Sequence, residues 1–300
     1  MAQKKSKKPK RNKSKEDIST AKAFFYVFSF FVFLTITVFS LHYKHALQLY
    51  FCANYNKFCS EVVSNEIQTD LSFCKSVDRK KVNAFNIRNI EVLEKHKEDH
   101  IFGIDISEYQ GEIDWYNVYC VEDVAKIDFV ILRATAGIDK VDLKFKDNWP
   151  QVKTNKFVRG AYHYYRADED PIEQATNFIT TVKLYKSDLP PILDVEKLPK
   201  KISQEQFIQN VKLWMDKVEK HYGIQPILYS GQSFHEDFLA QHFPNHYLWI
   251  ANYSFFKEAM HPDWHIWQFS EKGYVSGIKT HVDLNVFKGS LNEFKQLTIK

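Results

Sequence analysis

The chain has 300 residues, of which 44% are hydrophobic and 16% aromatic, so it carries enough apolar surface for a large core and is not disordered throughout. Its net charge is +4, yet eight Lys or Arg and no acid lie between Lys4 and Lys15. The remainder is therefore acidic overall, which removes the basic surface that nucleic-acid binding needs.

The first predicted element is a membrane anchor at residues 23–43. This run contains no charged side chain and is long enough to span a bilayer as a helix. The alternatives are a buried helix or the apolar core of a cleaved signal peptide, but no small-residue cleavage site closes the run. Residues 1–22 are predicted to be a basic cytoplasmic tail by the positive-inside rule. The bilayer is thus a predicted partner, and the C-terminal bulk is predicted to be periplasmic or extracellular.

Residues 44–99 are predicted to form a stalk or linker with some helical content, since they lack Pro and Gly and are rich in Lys, Asn and Glu. In an oxidising compartment Cys52 and Cys59 can pair, but four cysteines allow three pairings and the sequence does not choose among them. We expect Cys120 to be a buried apolar residue rather than a nucleophile.

A repeated pattern of short apolar runs and amphipathic stretches begins after residue 99. The predicted strands are Phe102–Ile106, Phe129–Ala134, Gly160–Tyr165, Pro191–Val195, Pro226–Ser230, Tyr247–Ala251, His265–Phe269 and Val282–Phe287. The predicted helices are Trp115–Ala125, Lys144–Thr154, Ile172–Tyr185, Gln204–Tyr222 and Ser233–Gln241. This alternation predicts an α/β fold, a TIM-like (β/α)5(β)3 barrel over residues 100–292, followed by a tail at 293–300. The alternative is an open, doubly wound sheet.

Four acids lie at predicted strand ends: Asp105 near the end of the first strand, Asp194 and Glu196 at the end of the fourth, and Asp283 in the last. Side chains alternate along a strand, so Asp194 and Glu196 share a face. Crowded carboxyls raise one another's pKa, and glycoside hydrolysis needs one protonated acid beside a second carboxyl group. A structural ion-pair network and a metal–carboxylate site are the alternatives.

The order and spacing of nine motifs identify a resemblance. They are GIDIS (103–107), YQG (109–111), IDW (113–115), FVILRAT (129–135), GAYHY (160–164), PILDVE (191–196), WIA (249–251), WQFS (267–270) and VDLN (282–285). The segment from about 101 to 290 resembles the glycoside hydrolase family 25 lysozymes, the Chalaropsis-type muramidases. The resemblance implies a barrel of eight strands and about five helices that acts on peptidoglycan.

The resemblance also implies roles for the four acids. Glu196 is expected to be the general acid, Asp194 to hold the substrate's acetamido group or the reacting centre, and Asp105 and Asp283 to complete an acidic cup. The expected reaction is hydrolysis of the β-1,4 bond between N-acetylmuramic acid and N-acetylglucosamine, with no metal or cofactor. Inversion by water and participation of the substrate's acetamido group both stay open.

Further side chains near the strand ends are predicted to bind sugar. We expect Tyr164 and Trp267 to stack on sugar rings first, with Tyr109 and Tyr253 as further contacts, although each ring has a core position as its alternative. Gln268 and Asn285 are predicted to hydrogen-bond sugar hydroxyls. Ala136 stands where the family often has Glu, which affects contacts at the rim only. His163 is expected to satisfy a core hydrogen bond rather than to tune the acids.

Two functions from different classes remain. The first is a membrane-tethered lysozyme that catabolises or remodels cell wall, and the second is a glycan-binding module of the same fold without turnover. Retention of all four acids favours the enzyme. Chitin-like polymers are an alternative substrate.

Overall fold

The computed structural model describes Cys74 and residues 82–95, 99–254 and 264–300. The basic tail and the predicted anchor at 23–43 lie outside these residues, as do Cys52 and Cys59. No helix within the described ranges is both long enough and apolar enough to cross a membrane.

Eight strands close into a barrel. The strands of the described chain are β1 (His100–Ile106), β2 (Cys120–Val121), β3 (Ala125–Ala136), β4 (Lys140–Val141), β5 (Val158–Tyr164), β6 (Ile192–Asp194), β7 (Ile227–Gly231), β8 (Leu248–Ala251), β9 (Ile266–Gly273) and β10 (Val282–Lys288). The barrel order is β1-β10-β9-β8-β7-β6-β5-β3, and pairing of β3 with β1 closes it. The short strands β2 and β4 pair with β3 outside this circuit.

All eight predicted barrel strands are confirmed, and the open-sheet alternative is wrong. The barrel is not fully parallel, because its last strand, β10, runs antiparallel to both of its neighbours, β9 and β1. A reversed strand brings its N-terminal end to the mouth where its neighbours place their C-terminal ends. Asp283, the second residue of β10, therefore still faces the mouth, opposite Asp105.

Six helices accompany the strands in the described residues: α1 (Ala84–Glu94), α2 (Phe145–Thr154), α3 (Pro171–Thr181), α4 (Gln204–Tyr222), α5 (Gln232–Phe234), which runs into a π-turn at His235–Leu239, and α6 (Leu291–Gln296). The longest, α4, begins where the Ser203 side chain accepts a hydrogen bond from Gln206 N and ends at Gly223, which has φ 70°. These are the cap residues that helix ends favour.

The predicted helix at Trp115–Ala125 is wrong. A single 3₁₀ turn at Trp115–Asn117 is followed by β2 and by a turn in which Glu122 and Asp123 have φ of 51° and 56°. Left-handed residues end a helix, so the amphipathic pattern here belongs to a hairpin that leads directly into β3.

The core has two layers, one between the strands and the outer helices and one inside the barrel. Gly103 of β1 faces the inner layer, where an added Cβ would lie 2.4 Å from the Phe129 ring. Glycine therefore lets Phe129 fill the barrel at this level. Phe129 packs in turn on Phe294 of α6, with ring centroids 4.7 Å apart.

The predicted tail at 293–300 is wrong as a separate element. Phe294 is fully buried, and the backbone at Ile299 exchanges hydrogen bonds with Ser187 and Asp188. Burial of an aromatic ring is a large apolar contribution, so this segment belongs to the barrel.

An N-terminal clasp, which we define as Cys74 and residues 82–95, is bound to the barrel. A disulfide joins Cys74 to Cys120 of β2, and Ile90 and Leu93 of α1 belong to the outer core. This part of the predicted stalk packs as part of the folded domain. The disulfide also corrects the expectation for Cys120. Its side chain is buried, as expected, but its sulfur is disulfide-bonded.

The clasp is further held by one buried carboxylate, Glu122. Its two oxygens accept from Asn83 N at 2.7 Å, Asn86 Nδ2 at 2.6 Å and Tyr274 N at 3.1 Å. Glu122 therefore links the start of α1, the β2–β3 hairpin and the end of β9.

Candidate active site

The structure brings the four predicted acids to one mouth of the barrel. Asp105 is the penultimate residue of β1, Asp194 is the last residue of β6, and Glu196 follows two residues later. Asp283 pairs with Asp105 across the β1–β10 ladder. The charge of Glu196 acts on Asp105, Asp194 and Asp283, and the charge of Asp105 acts on Asp194 and Asp283, so the four carboxyls form one electrostatic cluster, the acidic cup.

Asp105 and Asp283 form a hydrogen-bonded pair. Burial raises the pKa of both, and the neighbouring charge of Asp105 raises that of Asp283 further. Two amide donors oppose the rise at Asp105, since its Oδ2 accepts from Gln268 Nε2 and Asn285 Nδ2, each at 2.8 Å. The donors favour the charged form of Asp105, so the shared proton lies on Asp283 and the pair carries one negative charge near neutral pH.

Asp194 and Glu196 form the second pair. Asp194 is buried, and its Oδ1 has no hydrogen-bond partner in the structure. Burial raises the pKa of Asp194, with the charges of Glu196 and Asp105 next in importance, while Arg133 and Lys197 act against the rise. A buried carboxyl oxygen without a donor is costly in a native protein and is typical of a site that a ligand completes.

Glu196 is the most exposed acid of the cup, whereas Asp283 is partly buried and Asp105 and Asp194 are buried. Partial burial of its carboxyl group by neighbouring protein atoms still raises the pKa of Glu196, while Lys197 and the Tyr229 hydroxyl lower this pKa. A carboxylic acid with a raised pKa at an accessible position is suited to donate a proton to a bound molecule.

Two buried amides orient Asp105, which changes the expectation for them. Gln268 Oε1 accepts from the hydroxyls of Tyr229 and Tyr253, both at 2.9 Å, and Asn285 Oδ1 accepts from Trp249 Nε1 at 2.8 Å. With their oxygens taken by donors, both amides must present N–H to Asp105. Gln268 and Asn285 therefore hold the cup in place rather than reaching sugar hydroxyls.

The expectation for Trp267 is wrong. This ring is 1% exposed, packs beside Phe269 in the outer core and donates Nε1–H to Asn252 O. Alternation along β9 explains the error, because Gln268 points to the cup and its neighbours must point away.

The three predicted tyrosines lie around the mouth. Tyr109 is 70% exposed, and the Arg133 guanidinium lies 4.8 Å from its ring centroid. Tyr164 is half-buried with the Lys197 ammonium 5.5 Å from its ring centroid, and Tyr253 is exposed while bonded to Gln268. Each keeps ring surface toward the solvent at the mouth.

The sequence analysis missed Tyr162 and Tyr229 as members of the site. Burial raises the pKa of both, with the charges of the cup acidic residues next in importance, so both hydroxyls stay protonated. Alternation on β5 was the available signal, because Tyr162 shares its face with Tyr164.

His163 points to the opposite side and satisfies core hydrogen bonds, as expected. Its Nδ1 lies 2.7 Å from Thr135 Oγ1 and its Nε2 lies 3.2 Å from Gln174 Oε1. Burial lowers the pKa of His163 to about 3, so the ring is neutral.

Ala136 is the buried last residue of β3 and pairs with Tyr164. Arg133, three residues earlier in β3, binds Asp142 through Nε at 2.9 Å and Glu108 at 3.0 Å. These ion pairs join β3 to the segments that follow β1 and β4 at the rim. Within the described ranges, no group of three or more His, Cys, Asp or Glu side chains is arranged to hold a metal ion.

Comparison with known proteins gives a consistent match. The model of the glycosyl hydrolases family 25 matches residues 104–278. The Escherichia coli K12 protein YegX is 37% identical over 201 residues, which cover 65% of this chain and 72% of YegX. The autolytic lysozyme of Clostridium acetobutylicum is 30% identical over 185 residues, 62% of this chain and 55% of that protein. A solved family 25 glycosyl hydrolase from Bacillus anthracis superposes with a TM-score of 0.58 at 30% identity, covering 68% of this chain and 99% of that one.

Proposed function

The chain belongs to the glycosyl hydrolases of family 25, and from that premise we propose that it is a muramidase that hydrolyses the β-1,4 bond between N-acetylmuramic acid and N-acetylglucosamine in peptidoglycan, with Glu196 as the proton donor. The observation that carries this proposal is the difference in exposure within the acidic cup. Glu196 reaches solvent with a raised pKa, while Asp105 and Asp194 are buried beside it. Protonation of the leaving oxygen requires an accessible acid of this kind.

Asp194 is the residue we assign to the substrate's acetamido group. A donor from the substrate that lies against Asp194 favours its anionic form, which Arg133 and Lys197 also favour, and so moves the proton of the pair to Glu196 when the sugar binds. Asp194 Oδ1 then offers an unused acceptor to an acetamido N–H. That bond removes the cost of the unpaired buried oxygen and places the sugar beside Glu196.

The Asp105–Asp283 pair supplies fixed negative charge. Glycoside cleavage develops positive charge at the sugar's anomeric carbon, and preorganised opposite charge stabilises it. Gln268 and Asn285 hold Asp105 from two sides, so this charge is in place before the substrate arrives.

Tyr109 has the features of a sugar-stacking platform. Arg133 lies against one side of its ring, and Arg133 is itself fixed by Asp142 and Glu108. The ring is therefore held in position with most of its surface open to a ligand.

We also propose that the chain is anchored in the membrane by residues 23–43, with its N-terminus in the cytoplasm and the barrel periplasmic or extracellular. The disulfide between Cys74 and Cys120 supports this location, because structural disulfides persist in oxidising compartments. The substrate is outside the cytoplasmic membrane as well. Protease protection of the barrel in sealed inverted vesicles tests the topology, and digestion of the barrel there would contradict it.

The activity is tested by digesting purified peptidoglycan with the full chain in detergent. Wild type should release muramic-acid reducing ends, and Glu196→Gln should lower the rate by about 100-fold to 10,000-fold, the contribution of general acid catalysis. Glu219→Gln, at an exposed position of α4, is the matched control and should retain the wild-type rate.

The second candidate function is a glycan-binding module without turnover. A folded wild-type chain that binds peptidoglycan and releases no reducing ends would establish it and reject the muramidase. Equal activity in wild type and Glu196→Gln would instead show that another acid is the proton donor.

A further inference from the structure

A cavity of about 230 Å³ lies between the N-terminal clasp and the end of β9. Asn83 and Phe85 of the clasp form one side, and Tyr253, Ser270 and the pair Glu271–Lys272 are among the residues on the other. We call it the clasp pocket. The family model begins at residue 104, so Asn83 and Phe85 come from a segment that precedes the matched barrel.

The clasp pocket borders the acidic cup through a single side chain. Tyr253 lines the pocket, and its hydroxyl donates to Gln268 Oε1, while Gln268 Nε2 donates to Asp105. The Tyr253 ring is therefore fixed in orientation by the same amide that holds the cup. Tyr253 therefore belongs to both sites, which places the clasp pocket beside the mouth.

The walls combine ring surfaces with short polar groups. Phe85 and Tyr253 supply aromatic surface, and Asn83 and Ser270 supply an amide and a hydroxyl. The volume is below the range of about 300–1,000 Å³ that holds drug-sized molecules, so the pocket suits one small ring rather than a disaccharide.

The charges at the pocket favour a neutral ligand. The Lys272 ammonium lies 4.0 Å from the Glu271 carboxylate, and both side chains are largely exposed, so the two cancel at the rim. A stem peptide carries free carboxyl and amino groups that would need unpaired partners of opposite charge. A pyranose presents an apolar face for the rings and hydroxyls for the polar groups.

The geometry points to the clasp pocket as a subsite for one further pyranose unit of the glycan strand, which Phe85 of the clasp and Tyr253 of the barrel would bind together. This inference rests on the proposed function. The clasp thereby lengthens the substrate groove beyond the barrel itself. Its effect is to favour long glycan strands over short ones.

The experiment measures affinity, so that it does not depend on turnover. Peptide-free glycan strands of two lengths, one filling the mouth alone and one extending past it, are titrated calorimetrically into the full chain carrying Glu196→Gln. Phe85→Leu in that background removes the aromatic face but keeps apolar volume, and Phe85→Ala removes both. We expect the long-to-short affinity ratio to fall by about threefold to tenfold in both, on the scale of one aromatic contact.

Val92→Ala is the matched control, because Val92 is an exposed apolar residue of the same helix that does not line the pocket. Its affinity ratio should equal that of the parent. Thermal unfolding of each variant separates loss of the pocket from loss of the clasp, and Phe85→Leu with an unchanged midpoint and a reduced ratio supports the subsite.

Unchanged ratios in both Phe85 variants would overturn the inference. So would a reduction seen with peptide-bearing strands alone, which would make the pocket a peptide site. Failure of the wild-type chain to cut peptidoglycan would reject the proposed function separately, since the affinity ratios are obtained without cleavage.

Discussion

Two buried carboxyl groups, one in the β2–β3 turn and one at the end of β6, face different surroundings. Glu122 at the clasp is 1% exposed and accepts three hydrogen bonds from N–H groups, whereas Asp194 in the acidic cup is 5% exposed and has one oxygen without a partner. Burial is the first cause of a raised pKa in both. The comparison teaches that burial and a raised pKa do not by themselves mark a functional acid. Asp194 differs from Glu122 in keeping an unfilled acceptor beside three other carboxyl groups at the barrel mouth.

The largest expected effect is a crossed result, in which substitution of Asp194 lowers activity and substitution of Glu122 lowers stability. Asp194→Asn should lower kcat/KM on peptidoglycan by about 100-fold or more while leaving the unfolding midpoint unchanged or higher, because no protein hydrogen bond is lost. Glu122→Gln should lower the stability and leave the activity nearly unchanged. Its amide places an NH₂ against an N–H donor, so the free energy of unfolding should fall by about 1–3 kcal/mol.

The crossed result is measured by reducing-end assays and denaturant unfolding on the same preparations. Activity of Glu122→Gln on short strands should stay within about twofold of wild type below its unfolding range, since distant sites act independently. A large activity loss in Glu122→Gln, or a stability loss in Asp194→Asn, would remove the distinction drawn between the two acids.

A smaller effect is expected in the pH dependence of stability. The pKa of Asp283 is raised in the folded barrel, first by burial and then by Asp105. A raised carboxyl pKa contributes stability below the ordinary value near 4 and loses that contribution as the pH rises through the folded value. Wild type should therefore become less stable from about pH 4 upward through the neutral range.

Asp283→Asn cannot ionise and should flatten this decline. The measurement is the unfolding midpoint at several pH values, with Asp216→Asn on the exposed side of α4 as the control that keeps the wild-type slope. An identical slope in Asp283→Asn and wild type would mean that the proton of the pair does not reside on Asp283.

The smallest effect concerns Lys197, which lowers the pKa of Glu196. Since Glu196 must be protonated to act as an acid, Lys197→Met should move the alkaline limb of the rate profile to higher pH. Lys197 is exposed, so the shift should be roughly 0.2–0.7 pH unit. Lys201→Met on the same loop should not move the limb, and a shift to lower pH in Lys197→Met would contradict the assigned charge effect.

The barrel could be predicted from sequence because its strands are buried on both sides and read as short apolar runs with acids at their ends. Strand direction produces no such pattern in the sequence, so the reversal of β10 was not predicted. Asp283 was nevertheless placed correctly at the mouth. Trp267 was misassigned because spacing along the chain was weighed without the in-and-out order that Gln268 imposes.

The clasp was beyond prediction for a different reason. The hydrogen-bond donors to Glu122 come from residues 83, 86 and 274, and the partner of Cys74 is 46 residues away. Contacts between distant segments have no periodicity to read. The same argument applies to the clasp pocket, whose two sides lie far apart in the sequence.

The disulfide between Cys74 and Cys120 also decides how the barrel responds to proteolysis. A cut anywhere between these two cysteines leaves both pieces covalently joined, and the clasp stays with the barrel. A cut on the N-terminal side of Cys74 separates the intact barrel and clasp from the proposed anchor. Under the proposed anchoring, release of a diffusible enzyme therefore requires cleavage before residue 74. After cleavage inside the disulfide loop and reduction, the core contacts of α1 and the hydrogen bonds of Glu122 still hold the clasp on the barrel.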